Sequence, residues 1–191
     1  MKSIKEILIF DLYQNIRIAK YRLFSTCKHV TGRPIVRQPV EWSGQGNIIF
    51  KGRVTLGVYP SPYFFNSYIY LEARQKNARI EINDGVWINN NAVIISDCTE
   101  IIIGRGALIG TNFAAYDSDF HALAPGARMT GQPTAAPIKI GENVFIGANV
   151  TVLKGASIGD NSVIGHGSLV THSIPPDVIA AGIPAKVIGQ L

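Results

Sequence analysis

The sequence predicts an all-β chain wound mainly as a parallel β-helix, and three observations carry that expectation. An aliphatic residue recurs at every sixth position from Ile140 through Ile146, Val152, Ile158 and Ile164 to Val170. The same phase appears upstream at Ile82, Ile88 and Ile94 and resumes at Ile103 and Ile109. Glycine and asparagine follow these positions, and tight corners need residues that tolerate positive φ. A period of six fits neither helix nor plain alternation. It fits a short strand and a corner, three to a coil, with successive coils about 4.8 Å apart. A β-sandwich would space its turns roughly every 8–12 residues instead. The period leaves the hand of the coil open.

Taken in chain order, residues 4–24 (IKEILIFDLYQNIRIAKYRLF) lack Gly and Pro and read as a helix, with Ile4, Ile7, Leu8, Ile16 and Leu23 as its apolar stripe. The expected organisation is a basic helical segment over residues 1–40 and the β-helix over 41–191. Weak traces of the repeat run through residues 47–58, and residues 59–65 interrupt it with aromatics and proline. The step from Ile94 to Ile103 is nine, so three residues should bulge within ISDCTE. Asn91, Asn112, Asn143, Asn149 and Asn161 are the expected corner residues. The repeat then stops after Ile109 and restarts at Ile140, which predicts a long extruded loop over residues 113–137.

Composition narrows the function. Of 191 residues, 47% are hydrophobic and 16% charged, so the core is large and much of the surface must be covered by small polar residues or other subunits. The net charge of +5 is uneven: residues 1–37 hold eight Lys/Arg against Glu6 and Asp11, and the remainder is close to neutral. That distribution speaks against a nucleic-acid face on the repeats. The basic helix has two compatible readings, a cap on the open end of the β-helix and a peripheral contact with anionic lipid through residues 1–37. Cys27 and Cys98 lack redox or metal spacing, and no signal-like apolar run opens the chain, so a cytoplasmic setting is expected, with the inner membrane face as a docking site.

The loop holds the titratable cluster of the repeat region: Asp117, Asp119, His121 and Arg128. Long loops on regular scaffolds usually carry function. An imidazole titrating near neutrality suits proton transfer. His121 lacks a neighbouring imidazole, and His166 and His172 are one hexapeptide apart, hence on different faces; no metal site is expected.

These residues, with DSDFHALAPGAR, the run PIKIGENVFIGANVTVLKGASIGDNSVIGHGSLV and the ending AAGIPAKVIG, resemble the hexapeptide-repeat acyltransferases, in the branch of maltose and galactoside acetyltransferases and polysaccharide O-acetyltransferases. The resemblance covers about residues 80–191. It implies a left-handed coil, a homotrimer with active sites between neighbours, acetyl-CoA as donor and a saccharide acceptor in surface-polysaccharide assembly. It implies His121 as general base, with Asp119 or Asp117 orienting its ring. Asn91, Asp97 and Asp117 become acceptor-binding candidates, Asn91 being equally a plain corner residue. Phe145, Gly147, Ala148, His166 and Lys186 fall along the donor groove, with the Ala148 amide at the thioester. Phe145 stands where the family commonly has Trp, and His166 where a small residue is usual. Two other functions fit the same scaffold: N-acetylation of a nucleotide-linked amino sugar, and a catalytically silent assembly scaffold.

Overall fold

The computed structural model describes residues 4–191, with side chains from residue 10 onward. A helix, α1 (Ile4–Phe24), leads into a prism of stacked coils. The first coil is β1 (Val30–Thr31), β2 (Ile35–Val36) and β3 (Val40–Gly44). The second is β4 (Asn47–Phe50), β5 (Thr55–Leu56) and β6 (Ile69–Ala73). The third is β7 (Arg79–Ile82), β8 (Trp87–Ile88) and β9 (Val93–Ser96). The fourth is β10 (Glu100–Ile103), β11 (Leu108–Ile109) and β12 (Ala114–Tyr116). The fifth is β13 (Ile138–Ile140), β14 (Phe145–Ile146) and β15 (Thr151–Leu153), and the sixth β16 (Ser157–Ile158), β17 (Val163–Ile164) and β18 (Leu169–Val170). A hairpin, β19 (Val178–Gly182) and β20 (Ala185–Gln190), closes the top.

The first strands of all six coils form one parallel sheet, here A; the second strands form sheet B, extended by β19 and β20; the third strands form sheet C. The coil is left-handed. The β-helix therefore starts at Val30, before the expected boundary at residue 41. Its first two strands lack the buried aliphatic residue that marks the later two-residue strands, so they show no sequence period.

The aliphatic positions read from the period, joined by Leu56, Leu71 and Ala115, form three inward columns. One runs Ile82, Ile103, Ile140 and Ile158; a second Leu56, Ile88, Ile109, Ile146 and Ile164; a third Leu71, Ile94, Ala115, Val152 and Val170. All are buried. Each fully buried Ile or Leu contributes about 1.5–3 kcal/mol, so the columns are the main source of stability. All five expected corner asparagines adopt φ between 54° and 62°. Their carboxamides also bond from coil to coil: Asn91 Nδ2 donates to Asn112 Oδ1 (2.7 Å), and Asn112 Nδ2 to Asn149 Oδ1 (2.8 Å).

Helix α1 corrects one expectation. Ile16 and Leu23 face outward, 59% and 82% exposed, while the face against the prism holds Gln14, Arg17, Ile18 and Tyr21. The side chains of Ile4, Ile7 and Leu8 lie outside the described residues. The reason is polar. Gln14 Nε2 donates to the Arg37 carbonyl (2.8 Å), and Arg17 Nη1 to the Phe64 carbonyl (2.8 Å). These backbone acceptors would otherwise lie unpaired under the helix. The aromatic interruption supplies the remaining contact: Phe10 packs against Tyr59, Phe64 and Phe65. No helix among the described residues is long and apolar enough to cross a membrane.

Candidate active site

The expected bulge lies between β9 and β10, at the corner where sheet C turns to sheet A. Directly above it the chain leaves the prism. The excursion is shorter than residues 113–137: Phe113 and Ala115 are fully buried, and residues 114–116 form β12. Phe113 and Ala115 keep the inward alternation of the strand, which the interrupted six-residue step concealed. The neck of the loop is closed by an antiparallel bridge between Ser118 and Ala135, by the Asp119 amide donating to the Thr134 carbonyl (3.0 Å), and by the Ala136 amide donating to the Asp117 carbonyl (2.9 Å).

Asp117 is not an acceptor-binding group and does not orient His121. It is fully buried, and its carboxylate accepts from Ser96 Oγ (2.9 Å), the Asp97 amide (2.6 Å), the Thr99 amide (3.0 Å) and Thr99 Oγ1 (2.7 Å). Four donors saturate it, and it pins the bulge to the loop root. Asp97 is likewise buried; Ser118 Oγ donates to it at 3.0 Å, and Arg74 lies 3.7 Å away. In the protomer both carboxylates belong to the architecture of the corner. Burial, then Asp97 and Asp117, push the Cys98 thiol up, so it is a poor source of thiolate.

Phe120 precedes the key histidine and adopts φ 59°, a left-handed conformation costly for a bulky residue. Its amide donates a hydrogen bond to Ser118 Oγ (3.0 Å), and its ring is held between Tyr116 (5.9 Å between centroids) and the Arg74 guanidinium (4.7 Å). Arg74 is fixed in turn by Glu72 through two hydrogen bonds (2.8 and 3.1 Å). The strained residue directs His121 outward, where it is exposed.

His121 Nδ1 lies 3.1 Å from the Arg128 carbonyl oxygen. A carbonyl only accepts, so the neutral ring carries its proton on Nδ1, and the Nε2 lone pair is free. Asp119 does not orient this ring. Its carboxylate faces Lys154, with Nζ 3.4 Å from Oδ2. That is an ion pair without a formed hydrogen bond. Sequence reasoning missed Arg74 and Lys154, because only coil stacking brings them to the loop, and it gave no role to Phe120 or to the Arg128 carbonyl.

The other expected residues lie at a different corner, between sheets B and C. Asn91 stands in the asparagine ladder, which continues from Asn149 Nδ2 to His166 Nε2 (3.3 Å). Gly147 and Ala148 turn the same corner. The Gly147 amide donates to the Ile164 carbonyl (2.8 Å), whereas the Ala148 amide has no partner among the described residues. Its approach is open because Gly110 lies one coil below; a Cβ there would come within 2.6 Å of the Ala148 nitrogen. A free amide beside a cradle of glycines suits a polarised carbonyl oxygen. Phe145 is 52% exposed on the outer face of sheet B, and Lys186 is exposed on β20. Among the described residues, no three His, Cys, Asp or Glu could hold a metal ion.

Residues 137–172 match the family described as bacterial transferase hexapeptide (six repeats). The chain is 41% identical over 114 residues to a galactoside O-acetyltransferase of Escherichia coli, covering 60% of this chain and 55% of that one. It is 40% identical over 114 residues to a putative acetyltransferase of Saccharomyces cerevisiae, covering 60% and 57%. The chain thus spans little more than half the length of the curated relatives it matches. Among solved structures, a galactoside acetyltransferase in complex with coenzyme A is similar at 32% identity and TM-score 0.55, over 82% of this chain and 64% of that one. The polySia-specific acetyltransferase NeuO is similar at 27% identity and TM-score 0.58, over 86% and 68%.

Proposed function

We propose that this protein is an acetyl-CoA-dependent O-acetyltransferase acting on a sugar hydroxyl, with surface-polysaccharide assembly as its setting. The observation that carries the reading is the exposed imidazole of His121, locked through Nδ1 by the Arg128 carbonyl so that Nε2 is the base. Acetyl-CoA supplies the acetyl group as a thioester. His121 Nε2 takes the proton of the acceptor hydroxyl as its oxygen bonds to the acetyl carbon. His121 then returns that proton to the sulfur as the carbon–sulfur bond breaks. The Ala148 amide donates to the carbonyl oxygen as that oxygen gains charge. Gly147, His166, Phe145 and Lys186 would line the donor groove.

In one protomer His121 and Ala148 project from different corners. A trimer resolves this, the loop of one protomer reaching the sheet B–sheet C corner of the next. The outward column Trp87, Leu108 and Phe145, in register on sheet B and 38–52% exposed, supports such a seam. The outer face of α1, where Leu12, Ile16 and Leu23 are exposed near Lys20 and Arg22, would rest on an anionic membrane surface and keep the enzyme near its acceptor.

The test is release of free thiol from acetyl-CoA with a panel of saccharides. Acceptor-dependent release that disappears in His121→Ala supports the reading, and full activity in that variant overturns it.

A further inference from the structure

The first two coils carry a concave surface that neither the donor groove nor the His121 loop uses. It is a cavity of about 520 Å³ lined by Thr26, Lys28, His29, Gln45, Asn47 and Lys76, with Gly44 at its edge. Its lining contains two lysines and a histidine and no carboxylate. Neither lysine is ion-paired among the described residues. The walls are fixed in advance: the Thr26 and Cys27 amides donate to the Trp42 carbonyl (2.8 and 3.0 Å), and the Ile48 amide donates to the His29 carbonyl (3.0 Å).

Position gives this cavity its meaning. Gly44, Ala73 and Ser96 are register partners on consecutive coils, and Tyr116, partner of Ile95, leads into the loop root one coil higher. The cavity and the His121 loop therefore share one edge of the prism, about 14 Å apart at three coil spacings. The donor-groove residues lie in coils that follow the loop. An acceptor that meets His121 from the opposite side extends down this edge towards the base.

We propose that Lys28, His29 and Lys76 bind a phosphate or diphosphate ester carried by the acceptor sugar, which rests on the acetyltransferase reading above. Ammonium groups serve as point charges for phosphate, and the Gln45 and Asn47 amides and the Thr26 hydroxyl are neutral donors around them. A neutral sugar would leave these cations without a partner. The diphosphate of a nucleotide-linked sugar and that of a lipid-linked sugar present the same chemistry to the pocket.

Titration of the protein with inorganic pyrophosphate, in saturating coenzyme A, reads the pocket directly. Binding that falls at least tenfold in Lys28→Ala/Lys76→Ala, with an unchanged melting temperature, is expected. Absent binding, or binding indifferent to the substitutions, overturns the proposal. Uridine diphosphate and a short-chain prenyl diphosphate in the same assay separate the sources, since the tighter ligand identifies the carrier. In transfer assays the double variant should lower kcat/KM at least tenfold for a phosphoryl-linked sugar and leave the neutral sugar unaffected. An equal loss on both acceptors overturns the pocket while the acetyltransferase reading stands. No transfer with any acceptor overturns that reading, and the pyrophosphate titration still decides the pocket.

Discussion

Arg74 holds its guanidinium 4.7 Å from the centre of the Phe120 ring, one residue before His121 in the chain. Arg74 comes from the corner after β6, two coils below the loop, and Glu72 fixes its plane. The contact ties the strained Phe120 backbone to the rigid prism. A stacked, partly desolvated pair of this kind is worth about 1–2 kcal/mol. Arg74→Ala should therefore lower kcat by roughly five- to thirtyfold, with KM for acetyl-CoA unchanged. Arg74→Lys should recover only part of the loss, because an ammonium neither stacks nor pairs bidentately. Steady-state kinetics of the two variants check this.

Removal of the imidazole itself is the larger effect. His121→Ala should cost 10²- to 10⁴-fold in kcat, on the order expected for a general base, and leave coenzyme A binding intact. Thiol-release kinetics and calorimetric titration with coenzyme A check the two halves.

Asp117 should behave as a structural residue. Its carboxylate receives four hydrogen bonds in a fully buried corner. Asp117→Asn removes the charge and replaces one acceptor oxygen by a donor facing donors. A loss of about 3 kcal/mol is expected. In a chain of this length that corresponds to roughly 6–12 °C in Tm, readable by calorimetry.

In the proposed trimer the outward column of sheet B forms the seam between protomers. Leu108→Glu places a charge between Trp87 and Phe145, its register neighbours. Light scattering should show the trimer giving way to monomer, with acetyl transfer lost although His121 is intact.

Acid should destabilise the protein through Glu81. Burial alone would raise this carboxyl, but hydrogen bonds from Lys51 and Arg79 outweigh it and hold it below the usual carboxylate range. A carboxyl lowered in the folded state contributes stability that is present above its unfolded value, near 4.3, and is lost as pH falls through the folded value. Thermal melts across the acid range should steepen below about pH 4, and Glu81→Gln should flatten that dependence.

The scaffold was legible because its period is a local property. Ile140, Ile146, Val152, Ile158, Ile164 and Val170 announce one buried position per strand. The corner asparagines announce a backbone conformation that few other residues accept. The start of the prism was not legible. In the first coil neither β1 nor β2 buries a residue, and pairing with the coil above defines them more than their own pattern does.

At the site, the sequence identified the excursion and its imidazole but assigned the wrong partners. Asp117 and Asp119 are near His121 in the chain, yet one is buried against Ser96, Asp97 and Thr99 and the other faces Lys154. The group that sets the tautomer is a backbone carbonyl, that of Arg128, and carbonyls leave no trace in composition. The face of α1 was likewise decided by carbonyls of Arg37 and Phe64 that need donors.

The sequence by itself determined the coil, its corners and the place where the chain departs from them, since each depends on side-chain size and backbone freedom at fixed spacing. Tertiary structure alone decided which distant residues share an edge. Stacking places positions some twenty residues apart in contact, and through it Arg74 reaches Phe120 and Lys76 joins Lys28.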